Sequence, residues 1–152
     1  MTEQQYGRRA VETGPTGKIV AENLARLRKV RGFSTRQLAA ALEEKGRSIS
    51  PSGISRMEKA ERHVTADELV ALAAILRVNP SALMLPPTDS PADSIEITGV
   101  GTVGADAAWD WMDGEMPIER VKPGDPSGSL MRFQLDARPA GRRLQLSPGE
   151  GD

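Results

Sequence analysis

The chain has 152 residues, room for one ordinary domain or a small domain with tails. It has no Cys and one His, which excludes a disulfide framework and a thiolate metal site and leaves little for His-based acid–base chemistry. Net charge is −1 but divided: residues 17–85 carry 12 Lys and Arg against 7 Asp and Glu, a net of +5, and residues 86–152 carry 6 against 12, a net of −6.

A basic core beside an acidic tail is the asymmetry of a chain in which one part meets phosphate. No apolar run reaches the roughly 18 residues of a membrane span, and the start is not a signal peptide. A soluble, cytoplasmic protein with no membrane partner is expected.

Residues 1–16 are polar and lack periodicity, so a disordered N-terminal arm is expected. The run from Gly14 to Lys18 hints at a phosphate loop. That motif needs Gly at 12 and Ser or Thr at 19, where this chain has Glu12 and Ile19.

Lys18 to Arg31 reads as a first helix, with Val20, Leu24, Leu27 and Val30 as its apolar stripe and Gly32 as its stop. One start signal then recurs four times. Ser34, Ser50, Thr65 and Asn79 each stand between an apolar residue just before and another four positions on. Gln37 and Glu68 complete capping boxes, and Pro51 and Pro80 occupy first helical positions, where a missing N–H costs nothing. These signals predict helix starts near 35, 51, 66 and 80. The expected core is Leu24, Leu27, Phe33, Leu38, Ala39, Leu42, Ile49, Ile54, Met57, Leu69, Leu72, Ala73, Leu76, Val78 and Leu83.

The third helix has two faces. Ile54 and Met57 share an apolar seam, while Ser52, Ser55, Arg56 and Lys59 form a small, hydrogen-bonding and basic outer side. Such a helix fits the major groove of DNA.

The segment Phe-Ser-Thr-Arg-Gln-Leu-Ala-Ala-Ala-Leu, followed by Ile-Ser-Pro-Ser-Gly-Ile-Ser-Arg-Met-Glu-Lys, resembles the XRE/Cro–CI family of helix-turn-helix transcriptional regulators. So does the later Leu-x-x-Leu-Ala-x-x-Leu-x-Val-x-Pro. The resemblance covers residues 17–86 and implies an all-α, five-helix lambda-repressor-like domain. It further implies that the second helix crosses the DNA backbone while the third enters the groove. Carried across, Ser50, Pro51, Ser52, Gly53, Ser55 and Arg56 approach bases or nearby phosphates. Thr35, Arg36 and Gln37 meet the backbone before them, and Lys59, Arg62 and His63 after them. Arg28 and Glu58 resemble the family's structural ion pair.

Two departures stand out. Lys45 to Ser48 lengthen the turn between the second and third helices, as in regulators resembling those of actinobacteria, and Arg47 there adds a phosphate contact. Ala60 stands where the family has a Gly, implying an Ala in the left-handed region at a cost of about 1 kcal/mol.

From residue 87 to 118 a linker and arm are expected. Ser94 to Thr98 alternates like a strand, and Ala105 to Met112 reads as a short helix. Between them lies a literal Gly-x-Gly-x-x-Gly, Gly99 to Gly104. The dinucleotide reading fails, because no βαβ unit or second parallel strand can follow. Both Trp109 and Trp111 are expected to pack. Residues 119–152 are rich in Pro, Gly and charge, and a largely disordered tail is expected despite Leu130-Met-Arg-Phe.

The function expected is sequence-specific binding of double-stranded DNA by a regulator, a repressor; if it binds as a homodimer, half-sites lie about 10 base pairs apart, or multiples of that. An antitoxin-like interaction module, with residues 94–118 gripping a partner protein, is the alternative. No cofactor, metal site or nucleophile–base pair is legible, so an enzyme is not expected.

Overall fold

A computed structural model describes residues 12–119 and 128–144. The chain divides into two compact units, the first comprising residues 1–87 and 96–102, the second residues 88–95 and 103–152. The expected disorder of residues 1–11, 120–127 and 145–152 concerns positions outside the described ones.

Among the described residues the first unit holds five helices: α1 (Pro15–Val30), α2 (Thr35–Glu44), α3 (Pro51–Glu58), α4 (Ala66–Leu76) and α5 (Pro80–Met84). The four caps act as their chemistry dictates. Ser34, Ser50, Thr65 and Asn79 each accept a hydrogen bond from the backbone N–H three residues on. Both capping boxes close, through Gln37 and Glu68. α1 begins three residues earlier than its pattern indicates. Pro15 sits at its first position, where the missing N–H is an orphan anyway, so the Gly-Pro-Thr-Gly run is helix rather than loop.

Helices α1 to α4 end alike. After each, one residue turns into the left-handed region, and its own N–H and that of the residue after it fold back on last-turn carbonyls. Gly32 and Gly46 fill that position after α1 and α2, Ala60 and Arg77 after α3 and α4. The left-handed Ala60, φ 57°, matches the expectation. Arg77, φ 59°, carries no sequence signal.

Around these ends closes a single core of Leu24, Leu27, Leu38, Ala39, Leu42, Ile49, Ile54, Met57, Leu72, Ala73, Leu76 and Leu83. Phe33, Leu69 and Val78 pack partly buried against it, so every expected core residue takes part. Val30 does not: it is 65% exposed, on the last turn of α1, and leaves the stripe assigned to it. Asn23 is buried instead and donates its amide to the carbonyls of Leu83 (3.0 Å) and Leu85 (2.7 Å), tying α1 to the end of α5.

Strands β1 (Ser94–Ile97) and β2 (Gly101–Gly104) pair as a two-stranded sheet. The alternation read from Ser94 buries Ile95 and Ile97. The second strand was not expected. The glycines of the Gly-x-Gly-x-x-Gly run build a hairpin, with Gly99 and Gly101 at positive φ, and no phosphate cradle. The all-α class thus needs this sheet added.

The second unit contains α6 (Ala105–Met112) and α7 (Ser129–Ala137), followed by a single 3-10 turn, Ala140–Arg142. α6 has the bounds its pattern indicates, and Trp109 and Trp111 are both half-buried, Trp109 donating its indole N–H to the Thr88 carbonyl. α7 corrects the expectation of a disordered tail. Its anchor is the buried Gln134, whose amide donates to the carbonyls of Gly114 and Glu115, both at 2.9 Å, and accepts from the Leu144 N–H at 3.1 Å. A polar side chain satisfied three times orders a segment that hydropathy alone does not. No described helix is long and apolar enough to cross a membrane.

Candidate nucleic-acid interface

The third helix is positioned from its first residue. Ser50 caps it, its hydroxyl accepting the Gly53 N–H at 3.0 Å, and Pro51 preorganises the first turn. Its inner side is Gly53, Ile54 and Met57, all buried. Ser50, Pro51, Ser52, Arg56 and Lys59 are exposed and Ser55 is half-buried.

Gly53, expected at the DNA, faces the interior instead. A Cβ there would lie 3.0 Å from Ile49 Cγ2 and 3.2 Å from the Ser50 hydroxyl, so glycine serves the packing of the cap. The serines have local partners: Ser50 and Ser52 hydroxyls lie 3.0 Å apart, and Ser55 donates to the Pro51 carbonyl at 3.2 Å. Ser55 therefore turns acceptor lone pairs outward, suited to an amino group on a base edge.

The acidic residue of α3 is withdrawn from this surface. Glu58 takes a two-pronged grip from Arg28 Nε and Nη2, the latter at 3.2 Å, and Arg28 Nη1 donates to the Phe33 carbonyl at 2.9 Å. Both side chains are nearly covered, at 14% and 12% exposure. The hydrogen bond to Glu58 raises the Arg28 pKa further above its ordinary value, against burial. The expected ion pair is present, and it removes a negative charge from the outer side of α3.

At the start of α2, Arg36 and Gln37 are exposed and Thr35 is half-buried. Gln37 Oε1 accepts the Ser34 N–H at 2.8 Å, which commits its oxygen to the cap and leaves its NH2 as a donor. In the long turn, Arg47 is exposed and lies 3.5 Å from Asp67 at the start of α4.

Beyond α3 two expected phosphate contacts are already occupied. Arg62 spans Glu68 with both terminal nitrogens, at 3.0 and 2.8 Å, and also donates to the His63 carbonyl. Its fork is spent on the protein. Burial alone would push the Glu68 carboxyl up, yet Arg62 and the Thr65 backbone N–H outweigh it and hold that carboxyl below its ordinary range. His63 Nε2 lies 3.0 Å from the Glu12 carbonyl. Lys59 stays exposed.

Sequence reasoning missed the segment just before α1. The Thr13 hydroxyl donates to the Ala60 carbonyl at 2.8 Å, fastening this segment to the end of α3. Nothing in its composition signals that role. Among the described residues, no group of three or more His, Asp or Glu side chains is placed to hold a metal ion.

Residues 19–84 match the family model described as a helix-turn-helix domain. No curated protein matches the chain. A solved structure, that of hydroxypropylphosphonic acid epoxidase from S. wedmorenis, is similar over 55% of this chain and 38% of that one, at 26% identity and a TM-score of 0.40. The chain thus corresponds to less than half of that protein, and a likeness this slight bears on neither fold nor activity. Residues 19–84 are thus similar to a helix-turn-helix domain, with α2 and α3 inside the matched span, and this supports DNA binding.

Proposed function

We propose that the protein is a sequence-specific transcriptional regulator of the XRE/Cro–CI type, acting as a repressor, with α3 reading the major groove. One observation carries this reading. The outer side of α3 presents Ser52, Arg56 and Lys59 exposed to solvent, while its acid, Glu58, is turned onto Arg28. Arg56 is the base reader, since its planar fork matches guanine O6 and N7. Ser52 and Ser55 add hydrogen bonds of lower selectivity. Arg36, Gln37 and Lys59 hold the backbone on either side. Arg47 joins them after leaving Asp67, because a phosphate competes well with an exposed carboxylate at 3.5 Å.

Repression follows from occupancy alone, because a protein seated in the groove blocks that stretch of DNA. Two copies on adjacent half-sites would sit about 10 base pairs apart, or multiples of that. The test is binding of a randomised duplex pool, followed by titration of the enriched site between about 50 and 200 mM salt. The reading predicts enrichment of a defined site and a steep fall in affinity with salt. Absence of duplex binding at the lowest salt would remove it.

A further inference from the structure

α7 has an inward and an outward arc. Leu130, Phe133 and Gln134 turn inward, with Gln134 buried. At about 100° per residue, Met131, Leu135, Arg132 and Asp136 follow one another around the outward arc. Met131 and Leu135 therefore form one flank and Arg132 and Asp136 the other. Met131 is 55% exposed, Leu135 52% and the adjoining Leu144 46%. These three border an apolar cleft of about 190 Å³. Arg132 and Asp136 are exposed, and neither forms an ion pair among the described residues.

The order of these side chains selects an occupant. Where two helices pack antiparallel about a two-fold axis, each flank meets the same flank of the other helix. Where they pack parallel, each flank meets the opposite one. Two copies of α7 packed antiparallel would set Met131 against Leu135 and Arg132 against Asp136, each pairing made twice. Packed parallel, they would set the apolar flank against the charged one. A face complementary to itself in shape and charge is what an isologous contact requires.

We propose that α7 is a self-association surface, pairing antiparallel with α7 of a second copy of this chain. The helix is only about 13 Å long, and a stable interface buries upwards of about 1,200 Å². The pairing is therefore weak in free solution, with a dissociation constant on the order of 10–100 μM. It strengthens when two copies are held close together.

The test is sedimentation equilibrium of the full chain without DNA, so its outcome is independent of the regulatory reading. Wild type is compared with Arg132→Asp, Asp136→Arg and the double reversal, with circular dichroism to confirm that all four fold. Both altered positions are solvent-facing. Wild type should show a reversible monomer–dimer equilibrium. Each single reversal should weaken it by about tenfold, since like charges then face each other twice. The double reversal should restore it to within about twofold. A wild type that stays monomeric to roughly 1 mM would overturn the proposal. So would single reversals that leave the dimer unchanged, or a double reversal as weak as the singles.

Discussion

Arg28 and Glu58 join the C-terminal part of α1 to the last residue of α3 through two hydrogen bonds, and the same guanidinium holds the carbonyl of Phe33 just after α1. The pair sets the angle of α3 and hides its negative charge. Breaking a nearly covered pair from one side strands the other charge, so Arg28→Ala should destabilise the domain by about 3 kcal/mol. Urea denaturation measures this. A loss under about 0.5 kcal/mol, the level of an ordinary surface substitution, would mean that the pair has no structural role.

Arg62 and Lys59 should separate cleanly, though both are basic and close in sequence. Lys59 is exposed, and Lys59→Ala should lower the slope of log affinity against log salt by about 1. Arg62 is spent on Glu68, so Arg62→Ala should leave that slope unchanged and cost about 1–2 kcal/mol of stability, its partial exposure limiting the loss. Salt titrations with the two variants check the contrast, which an equal fall in slope would erase.

Glu68 predicts an acid dependence. Its carboxyl is held below the ordinary range, so through that interval the unfolded chain binds more protons than the folded one. The stability it contributes is full above about pH 4.3 and is lost as pH falls through the folded value. Glu68→Gln keeps an oxygen for the Thr65 N–H and loses the titration. Its stability should vary less steeply between pH 5 and 3 than that of wild type, as measured by denaturation at each pH.

Ala60 holds a left-handed conformation after α3 that glycine adopts without strain. Ala60→Gly should raise stability by about 0.5–1 kcal/mol and leave DNA affinity within twofold. Thermal unfolding would show the gain as a higher midpoint, and a lower midpoint would contradict it.

Much of the first unit was legible because its signals are local. Ser34, Ser50, Thr65 and Asn79 announce helix starts by bonding to residues three positions away, a relation visible in any sequence. What escaped depends on which side chains the folded chain brings together, whether near or far in sequence. Arg62 reads as a free cation until Glu68 is placed beside it, and His63 until Glu12 is. Gly53 reads as a concession to DNA until Ile49 is seen behind it. Val30 has the spacing of a core residue, but its side chain stays exposed on the last turn of α1. α7 is too short for its period to outweigh the glycines and prolines around it, and the hydrogen bonds of Gln134 come from residues about 20 positions earlier.

The most direct test of the account is selection of bound duplex DNA by wild type and by Arg56→Ala, at one stated salt concentration. If Arg56 reads a guanine from the outer side of α3, the variant should lose about 1–3 kcal/mol of affinity and its preference at a single base position, with the rest of the site intact. An identical site, bound equally well by both proteins, would contradict it.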